Sequence, residues 1–448
     1  MRHIVVMSLS ASLGLLSIFL VDFIDLYFIS MLGNTALTAA VGYAGTLIFL
    51  TMSAGIGLMI AMSALASQRI GRGDPDDARR IATNVFVAGI GVGFIISAIL
   101  FIFAPQLMGL IGATGEAQIR GANYMRIIAP SAPIMMIGMI GSGLLRAHGD
   151  ARRAMNATLA AGFVNAIFDP IFIFVLGLEI EGAAFASVCA RLAMAFTALY
   201  PVFKHYGGIS PFKKPLFIND IREICGIAAP AILTNIATPF GALIVTRFVA
   251  VYGDDAVAGY SVVGRLIPLA FCVIFALSGA IGPIVGQNFG AGDFTRVRET
   301  IRKAMMFTGV YTLVVWLLLL ASTGLIANQF SLGETGTELV KVFTLVIAPL
   351  FFFNGVLFVS NATFNNLNRP TWSTLLNWMR NTIGTVPFIW LGAKWAGASG
   401  VLIGQAVGGI FFGVLGVWLA IRLAAQYESG AVDPHKKWRI AYLLSKNK

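Results

Sequence analysis

The chain has 448 residues, 58% of them hydrophobic and 11% charged, with a mean hydropathy of +0.84 and a formal net charge of +11. Soluble domains carry about 25% charged residues, so this composition excludes an ordinary globular domain and predicts an all-α polytopic membrane protein. The positive charge does not imply nucleic acid, because the basic residues stand between apolar runs rather than along one face of a soluble module.

A spanning helix needs about 20 mostly apolar residues. Twelve such segments follow in order: 4–32, 42–68, 81–104, 124–146, 153–177, 182–203, 224–252, 257–286, 302–326, 338–363, 371–391 and 399–422. The first opens after a single Arg, as a signal peptide does. It extends to Leu32, contains acids and lacks an A-x-A cleavage site, so it is read as a spanning helix. Cys189, Cys225 and Cys272 form no CxxC pair and are read as small buried hydrophobes. With the N-terminus inside, the inward ends and loops hold 23 of the 31 Lys and Arg residues, and the outward ends hold four. That bias predicts both termini in the cytoplasm. The remaining four, Arg191, Arg247, Arg265 and Arg380, fall within spans.

The chain repeats itself. Gln68-Arg-Ile-Gly71-Arg-Gly73-Asp74 recurs as Gln287-Asn-Phe-Gly290-Ala-Gly292-Asp293, and Ile128-Ala-Pro130 as Ile347-Ala-Pro349, both at an offset of 219. Each half then holds six helices, an even number, so the halves are parallel repeats, which is a transporter architecture. The predicted organisation is an N-lobe over 1–204, a basic linker over 205–222, a C-lobe over 223–425 and a cytoplasmic tail over 426–448. The Gln-x-x-Gly-x-Gly-Asp loops lack the Gly-Lys-Ser/Thr of a phosphate-binding loop and follow no strand. They read instead as helix punctuation, with glycines ending one helix, Asp74 capping the next and Pro75 at its first position.

Three of the 20 acids lie within spans and clear of their ends: Asp22, Asp25 and Asp169. Ionised groups at membrane depth are costly and mark pathways or relays. Asp25 and Asp169 each precede a glycine, Gly33 and Gly177, by eight residues on an outward-running helix. Both therefore sit about 12 Å from the outer end, with Asp22 about one turn deeper. Asn165 shares a face with Asp169 at i−4. Burial disfavours the charged form of a carboxylate, and a second acid nearby disfavours it further, so this pair suits reversible protonation or cation binding. All four histidines, His3, His148, His205 and His435, fall at cytoplasmic ends or in tails, leaving carboxylates to carry any coupled proton.

Arg247, Arg265 and Arg380 belong to the second half, which has no intramembrane acid, and Arg191 lies mid-span in helix six. A guanidinium keeps its proton, so each must face protein, water or a partner. Pairing with the acids, helix packing and contact with an anionic substrate are the open readings. Prolines interrupt helices four (Pro130, Pro133), five (Pro170), seven (Pro230, Pro239), eight (Pro268, Pro283) and ten (Pro349). Each kinks its helix and frees carbonyls, and Pro170 places a bend directly at Asp169.

At these residues the chain resembles the multidrug and toxic compound extrusion (MATE) transporters. The shared patterns are Val21-Asp-Phe-Ile-Asp25-Leu-Tyr-Phe-Ile-Ser-Met-Leu-Gly33, the two Gln-x-x-Gly-x-Gly-Asp loops, Arg146-Ala-His-Gly-Asp150 and Asn165-Ala-Ile-Phe-Asp169-Pro170. The resemblance spans the chain to about residue 422. It implies two six-helix lobes in a V that work by alternating access, with Asp25 matching the family's helix-one acid and Asn165 and Asp169 its helix-five pair. One subgroup uses acids in helices seven and ten for Na⁺ coupling; this sequence has none there, which favours an N-lobe mechanism and H⁺.

The expected function is a secondary antiporter exporting organic, amphipathic cationic compounds in exchange for H⁺ or Na⁺, with no cofactor. It is expected to act as a monomer in the inner (plasma) membrane on a small-molecule substrate. Asp25, Asp169, Asn165 and Asp22 would hold the ion in the outward-open state, bending helix one and displacing substrate. The alternative keeps the fold and makes the cargo an organic acid or lipid-linked molecule met by the second-half arginines. An intramembrane enzyme is disfavoured by the lack of His-Glu-x-x-His, Ser/Lys or paired metal ligands, and a channel by the two-lobe repeat and scattered prolines.

Overall fold

In lipid the backbone must satisfy its own N–H and C=O groups, and long apolar runs do so as helices. The computed structural model describes residues 2–329 and 332–432, except for the side chains at 2, 3, 22, 23, 26, 30, 35 and 327–329. Asp22's side chain and most of the tail beyond 426 therefore lie outside the described residues. Helices follow one another with no strand among the described residues: α1 Arg2–Ser30, α2 Thr35–Gly71, α3 Pro75–Ile102, α4 Ala104–Leu110, α5 Gly115–Ile128, α6 Ala132–Ala147, α7 Ala151–Pro170 and α8 Glu179–His205 in the first half, then α9 Lys214–Val249, α10 Asp254–Ala270, α11 Cys272–Gly290, α12 Phe294–Gln329, α13 Glu334–Val342, α14 Ala348–Asn366, α15 Pro370–Asn381 and α16 Val386–Glu428.

These helices make twelve crossings because several crossings are broken. The fourth is α5 and α6 joined by a 3-10 turn at Ala129–Ser131, where Pro130 has no N–H to give. The eighth is α10 and α11, separated at Phe271, three residues after Pro268. The tenth is α13 and α14, joined by a π-helical turn at Phe343–Ile347 just before Pro349. The last two crossings meet inside α16 at Ala396 and Gly397; Gly397 has φ 57 and ψ −136, a conformation open to glycine. The loop reading holds locally: Asp74 Oδ1 accepts from the Asp77 amide at 2.9 Å, and Gly73 turns the chain at φ 77.

Residues 69–80 and 290–303, rich in Arg and Lys, lie at one end of the bundle, here the basic end. The two far-end cores stay within their own halves: Ile29, Leu37, Leu47, Met125 and Ile180 in one, Val245, Val263, Phe343 and Ile389 in the other. The basic-end cores exchange members. Ile224, Ile227 and Ala228 of α9 pack with Leu65, Ile81, Val85 and Leu145 of the first half, while Ile4 of α1 packs with Leu277, Ile281 and Phe364 of the second. The halves are thus apart at the far end and joined at the basic end.

Charge fixes α9 in that exchange. Arg69, fully buried, reaches Asp77 at 2.7 Å and Glu223 at 3.0 Å. Arg80 pairs with Asp77 at 2.5 Å and also with Asp220, which accepts from Asn84 at 2.6 Å. The helix consequently begins at Lys214, ten residues before the apolar run at 224. Cys272 is buried and Cys189 half-buried, as expected of small apolar residues, but Cys225 is exposed on α9, because its neighbours Ile224 and Ile227 take the packed face.

Candidate membrane ion site

α7 brings the acids together. It runs unbroken from Ala151 to Pro170, so Asn165 and Asp169 stand one turn apart on one face. Pro170 cannot donate to the carbonyl four residues back, and the helix widens into a π turn over Ile171–Val175 rather than stopping. α1 packs along α7, and its Asp25 meets that face. The Asn165 amide nitrogen donates to Asp25 Oδ1 at 2.9 Å and to Asp169 Oδ2 at 2.8 Å, so both its hydrogens go to carboxylates from two helices. Asp169 is fully buried and Asn165 nearly so, while Asp25 is half-buried. Asp169 Oδ1 is buried without a hydrogen-bond partner.

Two further groups lie beside this site: Tyr124, which hydropathy does not flag, and Arg191, which its charge marks in the sequence. Tyr124 of α5, buried, lies in electrostatic range of Asp25, Asp169 and Arg191 and faces Ser187 of α8. Arg191 of α8 donates through Nη1 to Ser131 Oγ at 2.8 Å and to the Ile128 carbonyl at 3.3 Å. The 3-10 turn at Pro130 explains that seat, because the Ala132 amide turns to Ala129 and leaves the Ile128 carbonyl free of its usual helical partner. Pro130 thereby builds the seat of an intramembrane cation as well as bending a helix.

The second-half arginines lie elsewhere. Arg380 of α15 donates through Nη1 to Asn354 of α14 and leaves Nε buried with no partner. Arg247 on α9 and Arg265 on α10 are exposed. Among the described residues no carboxylate lies within ion-pair distance of Arg191, Arg247, Arg265 or Arg380, so none of the four pairs with Asp25 or Asp169.

Twelve crossings in two repeated halves, with acids gathered at depth in one of them, are the construction of a two-lobed membrane transporter. The family model MatE matches residues 11–171 and again residues 230–391. The chain belongs to the MatE family, and the two matches start 219 residues apart, at the spacing of the internal repeat. Curated relatives include an FAD transporter of Shewanella oneidensis, 27% identical over 443 residues, covering 96% of this chain and 97% of the relative. The multidrug export protein MepA of Staphylococcus aureus is 24% identical over 397 residues, covering 88% of each chain. The bent form of the Vibrio cholerae MATE transporter VcmN superposes with a TM-score of 0.89 at 24% identity, covering 95% of this chain and 98% of VcmN. The protein is therefore a multi-pass membrane transporter of small molecules rather than an enzyme.

Proposed function

We propose that this transporter is an antiporter that exports organic, amphipathic cationic compounds in exchange for H⁺, with the coupling site at Asp25, Asn165 and Asp169. The carrying observation is the single Asn165 amide shared by two carboxylates, with Asp169 Oδ1 left buried and bare. Two facing carboxyls in low dielectric do not both hold charge cheaply, and a proton on Asp169 relieves both the repulsion and the bare oxygen. We take H⁺ over Na⁺ because a proton held on one carboxyl completes the pair that the Asn165 amide bridges.

Deprotonated, the pair attracts a cation; protonated, it does not, so ion entry and cargo release exclude one another. The charge bias supports a basic end that faces the cytoplasm of a plasma membrane. The lobes then part toward the outside, where protons would enter, and the chain works as a monomer. The relative named as a multidrug exporter agrees with this cargo. In proteoliposomes, a cationic dye should move against its gradient when a pH gradient alone is imposed, and Asp25→Asn and Asp169→Asn should abolish that coupling in folded protein. Transport driven equally by a Na⁺ gradient, or full activity in both variants, sinks the reading.

A second reading makes the cargo anionic. Its specific support is Arg380, a buried guanidinium bonded to a neutral amide with Nε bare, together with the relative named as an FAD transporter. Export of a flavin dinucleotide that falls in Arg380→Gln while dye export persists would establish this reading over the first.

A further inference from the structure

The two Gln-x-x-Gly-x-Gly-Asp loops do more than end helices. Gln68, near the end of α2, donates through Nε2 to the carbonyl of Asn366 at 2.9 Å. Gln287, near the end of α11, donates through Nε2 to the carbonyl of Ala147 at 2.7 Å. Gln68 and Gln287 are 219 residues apart, and so are the two acceptors, Ala147 and Asn366. Each acceptor is the last residue of its helix, α6 or α14, whose terminal carbonyl has no partner within the helix. Each half thus caps the equivalent helix of the other, by the same atoms, across a pseudo-twofold axis.

The backbones cross at the same place. A Cβ on Gly71 would lie 2.0 Å from the Gln287 carbonyl oxygen, and one on Gly290 would lie 2.0 Å from the Gln68 carbonyl oxygen. A Cβ on Gly286 would lie 2.1 Å from Ser67 Oγ, between positions that are again repeat equivalents. Small residues let two helix ends approach this closely in a membrane protein. The crossing and the two glutamine caps form together or not at all, because both require the same approach of α2 to α11.

We propose that Gln68 and Gln287 are gating residues, a reciprocal pair that seals the basic, cytoplasmic end and opens when cargo enters from that side. The proposal rests on the alternating-access reading above. Opening separates these contacts in one step and exposes both helix-terminal carbonyls to cytoplasmic water, which can solvate them. The hydrogen bonds of Gln68 and Gln287 reach neither Asp25, Asn165 nor Asp169. They act on the balance between states, as a symmetric pair of weights.

The test reads that balance without transport. In full-length protein in nanodiscs, with the three native cysteines replaced by serine, spin labels at Asp76→Cys and Arg296→Cys report the separation of the first turns of α3 and α12. Gln287→Ala should raise the ratio of long-distance to short-distance population about fivefold, as loss of one net hydrogen bond implies. Gln68→Ala should raise it at least as much, because Gln68 Nε2 also donates to Asn368 Oδ1 at 3.3 Å. The double variant should raise it further, and Gly71→Ala should act in the same direction. Gln68→Glu supplies a readout independent of packing, since a protonated carboxyl donates to the Asn366 carbonyl and an ionised one does not. Its long-distance population should exceed that of the unsubstituted glutamine at pH 8 and return to it near pH 5. Unchanged distances in the glutamine variants, or a Gln68→Glu profile that follows the parent at every pH, overturns the gate. Unchanged distances with coupling still lost in Asp25→Asn would remove the gate and leave the antiport reading standing.

Discussion

Asn165 holds Asp169, one turn away on its own helix, at 2.8 Å and Asp25 of a different helix at 2.9 Å with the same nitrogen. The site is therefore a clamp between α1 and α7 whose jaw is one amide. Removing that amide leaves two carboxylates facing each other without a shared donor, and hydrogen bonds to charged groups contribute about 1.5–3 kcal/mol. Asn165→Ala should lower proton-driven dye export about tenfold or more at neutral pH, measured in proteoliposomes, with folded protein recovered in normal yield. An unchanged rate would show that the clamp is not used in transport.

Asp150, in the turn between α6 and α7, gives a pH dependence of known sign. Burial pushes its carboxyl up, but hydrogen bonds from the Tyr206 hydroxyl at 2.8 Å, the Arg153 amide and the Arg153 guanidinium outweigh it and hold it below the usual aspartate range. A carboxylate held low stabilises the fold above its ordinary range, near pH 4, and loses that contribution as pH falls through its lowered folded value. Tyr206→Phe should therefore destabilise the protein by about 0.5–1 kcal/mol at pH 7. The difference should disappear in strong acid, as followed by thermal unfolding in detergent across pH. Phenylalanine keeps the ring stacked on His148, so a penalty that persists unchanged at low pH would show that the carboxylate's charge is not its source.

The cap at Asp74 is a local property of α3 and carries a local cost. Replacing an N-cap Asp by Ala costs about 1 kcal/mol. Asp74→Ala should lower stability by that amount and Asp74→Ser by much less, in chemical unfolding of the detergent-solubilised protein. Equal losses in the two variants would argue against capping.

Arg69 is the larger hazard. It is wholly buried between Asp77 and Glu223, and a neutral side chain in its place gives up both ion pairs, although Asp77 keeps Arg80. Breaking a buried pair costs up to about 3–5 kcal/mol. Arg69→Met should cut the yield of folded protein severely. The triple change of Arg69, Asp77 and Glu223 to Met, Asn and Gln should recover much of it, measured as monodisperse protein on size exclusion.

Much of this was legible in the chain. Apolar runs locate the twelve crossings, and the 219-residue offset reveals the two halves. Asp25, Asn165 and Asp169 stand out because charge in an apolar run is rare, and equal spacing from Gly33 and Gly177 puts the two acids at one depth. Other features leave weaker traces. Residues 214–222 read as linker because they are charged, yet they are helical because Asp220 and the adjoining Glu223 find Arg80 and Arg69 on the other half. The break at Phe271 falls where neither Gly nor Pro stands. Tyr124 and Ser187 carry no signal, since both residue types are common in packed helices. Gln68 and Gln287 were visible as repeat equivalents, but a loop motif shows nothing of a partner in the other half.

The crossing of α9 into the first half constrains how the chain is made. The core containing Leu65, Ile81 and Leu145 also contains Ile224, Ile227 and Ala228. Six helices emerging from a ribosome therefore lack part of their interior until the seventh has begun to insert. The second half in turn draws Ile4 from the very start of the chain. Each half's core is incomplete without the other, and expression of residues 1–204 without the rest should yield a protein that waits for its complement.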